Sequence, residues 1–416
     1  MNNRFLIRTL GTFAVMLATF FLLAVVTSAI PFGMIAGHLD SSVQTITQEG
    51  EKPFHGHMLY TQDNVTDCIM LNIAAGVDAS HPLHSAMANR FHFNDGGNVF
   101  DDTRDLLGGK QVDSFDYARY WHGNQVLLRP LLVLTDYHGI RIINYLALFT
   151  LALLCIFLSY RRVSRSFAIA LTIGLACMGF QYIPLNMQYT SCFLIMLVAM
   201  LFILLSRRKQ GHEQALLLFF VIGGVTAFMD LLTTPLITLG LPVMLWCLVH
   251  KPEHPVRMVV FISLMWLLGY ASIWAAKWLL ASAVTGTNIV GDAMANAHLR
   301  TVGGEQGEQG LTTLAIMKGF WHTLAARWPI TGAAVLIALG CIVAFYWRCY
   351  RPAGSTARGN LWLLLVAVMP LAWSLVLMQH TYIHWYFTWR IWLITIVAVI
   401  VFLACAIHPQ DNPKKS

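Results

Sequence analysis

An all-α polytopic membrane protein, with about ten transmembrane helices and one large extracytoplasmic loop after the first, is the fold class this sequence predicts. Three observations predict it. Of 416 residues, 57 % are hydrophobic and only 11 % charged, with a mean hydropathy of +0.61; soluble domains carry about 25 % charge. The apolar residues are gathered into runs long enough to cross a ~30 Å hydrocarbon core. Acidic residues are gathered too, 13 of the 20 lying between Ala36 and His138.

The first apolar run, residues 10–35, follows Arg4 and Arg8, and its Val26 to Ala29 stretch loosely resembles a signal cleavage site. It is longer than the roughly 7–15 residues of a signal core, so an uncleaved anchor is expected. Further runs cover 139–160, 166–183, 188–206, 214–229, 234–249, 258–281, 328–347, 361–377 and 389–407, which makes ten spans in a single integral membrane domain, 1–416. Residues 36–138 form the first extracytoplasmic loop, with short amphipathic pieces at 67–75 and 117–134 suited to the membrane interface. Residues 282–327 form a second such loop.

Charge sets the orientation. If the N-terminus is cytoplasmic, one side collects 15 Lys and Arg against Glu213, Glu253 and Asp411, while the other side and its helix edges hold 12 basic and 17 acidic residues. Lys/Arg bias in short loops fixes topology, so both termini are placed in the cytoplasm of a plasma (inner) membrane, multi-pass protein, with the acidic loop outside. The basic pI of about 9.0 belongs to this pattern, and nucleic acid is not an expected partner.

The same layout excludes function classes. Cytoplasmic connections are only about 5 to 15 residues long, no P-loop signature occurs, and GGEQGEQG at 303–310 lacks the P-loop lysine and its preceding strand. No nucleotide-binding domain fits inside, so an activated substrate has to arrive outside on a lipid. Inverted repeats of the kind that mark many secondary transporters are not visible. The eight cysteines contain no CxxC pair, and only Cys68 falls in the large loop, so packing is their expected role.

Candidate chemistry concentrates at the loop and at two late turns. Asp67 precedes apolar residues at helical spacing, so its carboxylate sits at a helix start near the membrane surface. There it is either a general base toward an acceptor hydroxyl or a cap. Asp63 and Asp40 are the next candidates. The stretch 117–130 combines Arg119, His122 and Arg129 with aromatic rings, suiting phosphate and sugar or else an interfacial aromatic belt; Arg129 followed by Pro130 suggests a helix start near lipid phosphates. Asp230 stands at the outer end of a span, where an acid needs a partner such as Arg390, or a ligand. His380 and His384 share a helical face four residues apart, but lack the glutamate of HExxH and a visible third ligand. Phosphate contact by His384 and Arg390 is the alternative to belt packing. His55 with His57 and His81 with His84 are weaker metal signals. No metal ligand is assigned; a divalent cation remains a possible cofactor.

This arrangement resembles the GT-C superfamily, integral-membrane glycosyltransferases that use polyprenyl-phosphate-linked sugars. The resemblance is carried by the overall layout, the loop around Asp67, the 121–130 stretch, the Asp230 turn and the turn from His380 to Arg390. It implies a polyprenyl-phosphate sugar donor, a lipid bilayer, and a glycan, lipid or protein acceptor, in cell-envelope polysaccharide biosynthesis. It also implies that Asp67 serves as base while basic side chains hold the departing phosphate. Two departures from the family are Cys68 where a second acid would follow Asp67, and the lack of a large C-terminal soluble domain. Transport or flipping of a lipid-linked glycan, and a non-catalytic assembly role, are the competing expectations.

Overall fold

The computed structural model describes residues 3–50, 62–206, 211–302 and 360–407, with single positions at 315, 318, 319 and 322. Among the described residues six segments are long and apolar enough to cross a membrane: Asn3–Ser28, Tyr137–Arg162, Met187–Leu205, His212–Met229, Pro255–Thr285 and Trp385–Cys405. The chain is a helical, membrane-type protein. Shorter apolar helices cover Gln125–Leu134, Arg165–Cys177, Ile237–His250 and Trp362–Val376. The expected span at 328–347, the second loop beyond residue 302 apart from the four single positions, and His55 with His57 lie outside the described residues.

The first apolar run is divided. Helix α1 (Asn3–Ser28) ends before Pro31, and α2 (Phe32–Glu49) begins after it. Proline has no N–H to donate and disfavours helical backbone in the residue before it, so the break falls there. Helix α2 then follows an amphipathic period, with Ile35, Leu39, Val43 and Ile46 fully buried and Asp40 exposed.

The described residues between 36 and 138 fold into a packed unit. Helices α3 (Asn64–Ala75) and α5 (Val99–Leu107) pack against a two-stranded antiparallel sheet of β1 (Arg90–His92) and β2 (Ser114–Asp116), α6 (Gln125–Leu134) packs on α1, α2 and α3, and α4 (Pro82–Ala88) lies against α1. Its own core joins Leu39, Val43, Cys68, Leu71, Leu128 and Ile140. Residues 117–124 are not helical as expected; that stretch turns through His122 at φ 52°, with the Gly123 N–H bonded to the Phe228 carbonyl at 2.9 Å.

The remaining helices are α7 (Tyr137–Arg162), α8 (Arg165–Cys177), α9 (Met187–Leu205), α10 (His212–Met229), α11 (Ile237–His250), α12 (Pro255–Thr285), α13 (Ile289–Val302), α14 (Trp362–Val376), α15 (Met378–Ile383), α16 (Trp385–Thr388) and α17 (Leu393–Ile407). Several are shorter than their apolar runs. Gly179 at φ 64° ends the α8 run, which continues as a 3-10 turn, Phe180–Leu185, and the irregular segment through Pro235 delays α11. Helices α10 and α12 pack so closely that a Cβ at Gly223 would meet the Trp266 carbonyl, and one at Gly269 the Phe220 carbonyl. Small residues permit such backbone approach between membrane helices.

Two buried cations fasten the 36–138 unit to the bundle. Lys277 of α12 donates to the carbonyls of Ala86 (3.1 Å) and Met87 (2.8 Å) at the end of α4. Arg129 of α6 donates to carbonyls of Thr27 (3.2 Å), Ile30 and Ala74. Thr27 and Ala74 lie in the last turns of α1 and α3, where helix carbonyls have no intrahelical partner. Arg129 therefore caps two helix C-termini at once, in the middle of α6 rather than at a helix start among lipid phosphates.

Candidate functional site

The α3 sequence Asp63-Asn-Val-Thr-Asp67 places two acids one turn apart. Asp63 is the N-cap, accepting from the Thr66 N–H at 3.0 Å and the Thr66 hydroxyl at 2.8 Å. Capping falls to Asp63, which frees the Asp67 carboxylate, in the first turn, to face the bundle. Asp67 is 1 % exposed. Its Oδ2 accepts from the Tyr137 hydroxyl, from Asn186 Nδ2 at 2.7 Å and from the Met187 N–H at 3.3 Å, while Oδ1 accepts from the Gln188 N–H at 3.3 Å. The donors come from the starts of α7 and α9, so three elements meet on one carboxylate.

Cations complete the cluster. Arg141 of α7 makes a two-pronged ion pair with Glu49 at 2.6 and 2.7 Å and lies over the Tyr137 ring at 4.9 Å. Arg390, in the 3-10 turn Trp389–Trp392 before α17, stacks its guanidinium over Tyr189 at 4.1 Å and acts electrostatically on Asp63. Burial pushes the Asp67 carboxyl up to about 7, against the hydrogen bonds of Tyr137 and Asn186, with Asp63 adding to the rise and Arg141 opposing it. Burial also raises Asp63, opposed by its Thr66 bonds and by Arg390. A carboxyl poised near 7 exchanges protons readily at neutral pH.

The other predicted residues go elsewhere. Asp40 is solvent-exposed on α2 and accepts from Gln44 at 2.8 Å. Asp230 accepts from the N–H groups of Leu232 and Thr233, both at 2.9 Å, from the Cys192 thiol at 3.2 Å and from the Tyr270 hydroxyl at 3.5 Å. These contacts stand where the sequence had suggested a pairing with Arg390. Leu232 has φ 66°, and its carbonyl accepts from His380 Nε2 at 2.8 Å, which holds the strained turn. The rings of His380 and His384 are 4.7 Å apart, and His384 Nε2 accepts from Arg300 at 3.1 Å. Burial pushes His380 down to about 3 and lowers His384, so both are neutral at pH 7. His122 is buried between Tyr117 and Tyr120 and bonded to the Tyr117 carbonyl at 3.1 Å. Arg119 pairs with Asp292 at 3.4 Å. His81 pairs with Asp78 at 2.9 Å on the surface. Among the described residues no group of three or more His, Cys, Asp or Glu stands close enough to hold a metal ion.

Sequence reasoning did not find Glu49, Tyr137, Arg141, Asn186 or Tyr189. Arg141 carried a usable signal, a lone cation just inside an apolar run. The others sit at ends of different helices, and nothing local marks them as neighbours. No protein-family model matches this chain, and neither the curated proteins nor the solved structures contain a match to it.

Proposed function

We propose that the chain is a membrane glycosyltransferase of the GT-C kind, moving a sugar from a polyprenyl-phosphate donor to an acceptor hydroxyl on a glycan, lipid or protein. One observation carries the reading. Two buried carboxylates from a single turn of the early unit lie with the Arg390 guanidinium from the end of the chain acting on one of them, in a cluster built at helix starts. Two acids and a guanidinium enclosed together are costly to keep in a fold unless they do chemistry or hold it together. Ten spans follow if α8, α11, α14 and the apolar run at 328–347 are added to the six long segments. The charge count then supports a plasma-membrane protein with cytoplasmic termini and the 36–138 unit outside.

In this reading the acceptor oxygen attacks the anomeric carbon, and its proton passes to the Asp67 carboxylate. The bond from that carbon to the phosphate oxygen breaks as the new bond forms, which inverts the carbon. The electron pair leaves with the lipid phosphate, whose growing charge Arg390 stabilises. Asp67 returns its proton to water. Tyr137 and Asn186 hold the carboxylate in place, and Asp63 offsets the charge of Arg390 when no donor is bound.

Membranes carrying the chain, incubated with radiolabelled polyprenyl-phosphate sugars, test the assignment. Asp67→Asn should lower transfer by about 10²- to 10⁴-fold, the range for a general base, with the protein level unchanged. Full transfer by this variant removes Asp67 as base. A second reading takes support from the four donors that saturate Asp67: the cluster is a brace seating the 36–138 unit in a non-catalytic assembly protein. In that case Asp67→Asn lowers thermal stability, and no radiolabel is transferred even by the unaltered chain.

A further inference from the structure

Apart from the acid cluster, a cavity of about 150 Å³ opens between α12, α13, α14 and the 117–124 turn. It shares no residue with the Asp63 and Asp67 cluster. Its walls are aromatic: Tyr270 and Trp274 have ring centroids 5.2 Å apart, Trp278 continues the row 5.9 Å further, and Tyr120 meets Trp274 edge-on at 5.7 Å. The spacing 270, 274, 278 puts the row on one face of α12.

This row is not a lipid-facing belt. Tyr270 is buried and Trp274 and Trp278 are half-buried, while Leu268 and Leu279, exposed apolar residues of α12, lie on another face. Trp278 is fixed by its indole N–H, which donates to the Arg119 carbonyl at 2.9 Å; Trp274 has no such tether among the described residues. Tyr270 is backed by its hydroxyl contact with Asp230.

Two guanidiniums, Arg119 and Arg300, reach the same cavity. Arg119 is balanced by Asp292, but Arg300 is bonded to His384, which burial keeps neutral. Among the described residues no carboxylate is bonded to Arg300, and the nearest acid behind the wall, Asp230, is held on the far side of Tyr270 by its hydroxyl. Flat aromatic faces suit the C–H face of a pyranose, and a guanidinium suits the oxygens of a carboxylate or phosphate.

We propose that this cavity is a saccharide subsite for a single hexose ring carrying one negative group, seated on Trp274 and Tyr270 with its anion on Arg300. It deepens the transferase reading by naming the class of sugar in the acceptor or donor, and rests on that reading only for the use made of the sugar. Sugar phosphates and uronic acids share this chemistry.

The test is direct binding to the full chain in lipid nanodiscs, read by tryptophan fluorescence and calorimetry. The probes are methyl glucuronide, glucose 6-phosphate, methyl glucoside and inorganic phosphate. At least one anionic sugar should bind at least tenfold tighter than methyl glucoside and than phosphate. The tighter of the two identifies the source. Trp274→Ala and Arg300→Gln should each weaken it at least fivefold, the partly exposed Arg300 guarding against a folding defect at Trp274. Equal binding of the glucoside, equal binding of phosphate, or unaltered binding by Arg300→Gln overturns the proposal. Asp67→Asn should bind the sugar as the unaltered chain does. If transfer is never seen but anionic sugar still binds, the transferase reading fails and the subsite stands.

Discussion

Arg129 and Arg390 are both wholly enclosed, yet their surroundings differ in kind. Arg129 donates to backbone carbonyls at two helix ends, and among the described residues it forms no ion pair or ring contact. Arg390 gives one bond to the Tyr386 carbonyl at 3.3 Å, but it also lies on the Tyr189 ring and within electrostatic reach of Asp63. A guanidinium bonded to carbonyls at helix ends holds those ends together; one set against an acid and an aromatic face has partners that an incoming anion can replace. Burial alone does not separate a clamp from a reactive cation, whereas the chemical type of the partner does.

Three measurements break or sharpen this contrast. Arg390→Gln should lower transfer by about 10²- to 10³-fold, the usual cost of losing one donor to developing charge, with most of the folded protein retained in detergent. Arg129→Met should do the opposite. It strands the Ala74 and Ile30 carbonyls, the Thr27 carbonyl keeping its bond from the Ile30 N–H, at about 1–3 kcal/mol for each buried orphan, so thermal unfolding shifts down by several degrees while activity per folded molecule holds. If Arg129→Met abolishes turnover without loss of stability, the clamp assignment is wrong.

The smallest effect is graded with pH. Since the Asp67 carboxyl is raised from 3.8 to about 7, it has to lose its proton before it accepts one, and transfer should fall up to tenfold per unit on acidifying below about 7. Stability moves the other way. Between about 4 and 7 the folded chain keeps a proton that the unfolded chain has released, so this group's contribution to stability declines as pH rises through that window and is flat above it. Asp67→Asn should remove both slopes. A profile without the acidic limb in the unaltered chain detaches the reaction from this carboxyl.

Much of the architecture was legible because bilayer burial writes long apolar runs and the early acidic excursion interrupts them. Boundaries were less legible. The run through Pro31 was taken as one anchor, since hydropathy averages over a single proline, although the missing N–H divides it into α1 and α2. The place of Asp67 before a helical apolar pattern marks it as a candidate in the sequence, but the cations expected beside it do not pair with it: Arg129 binds helix-end carbonyls and Arg390 acts on Asp63 only electrostatically. What the sequence could not supply was the partner of each charge. Tyr137, Asn186 and Tyr189 reach the cluster from segments distant along the chain, and Arg129 looked like a phosphate ligand because only three dimensions bring the ends of α1 and α3 beside it.

The bond from Lys277 to the end of α4 bears on biogenesis. Its partners are separated by 191 and 190 positions in the chain, so during synthesis the Ala86 and Met87 carbonyls wait until α12 has left the ribosome and entered the bilayer. The early unit can be made first but docks late, and chains halted before that helix should display it in an unseated form open to proteases.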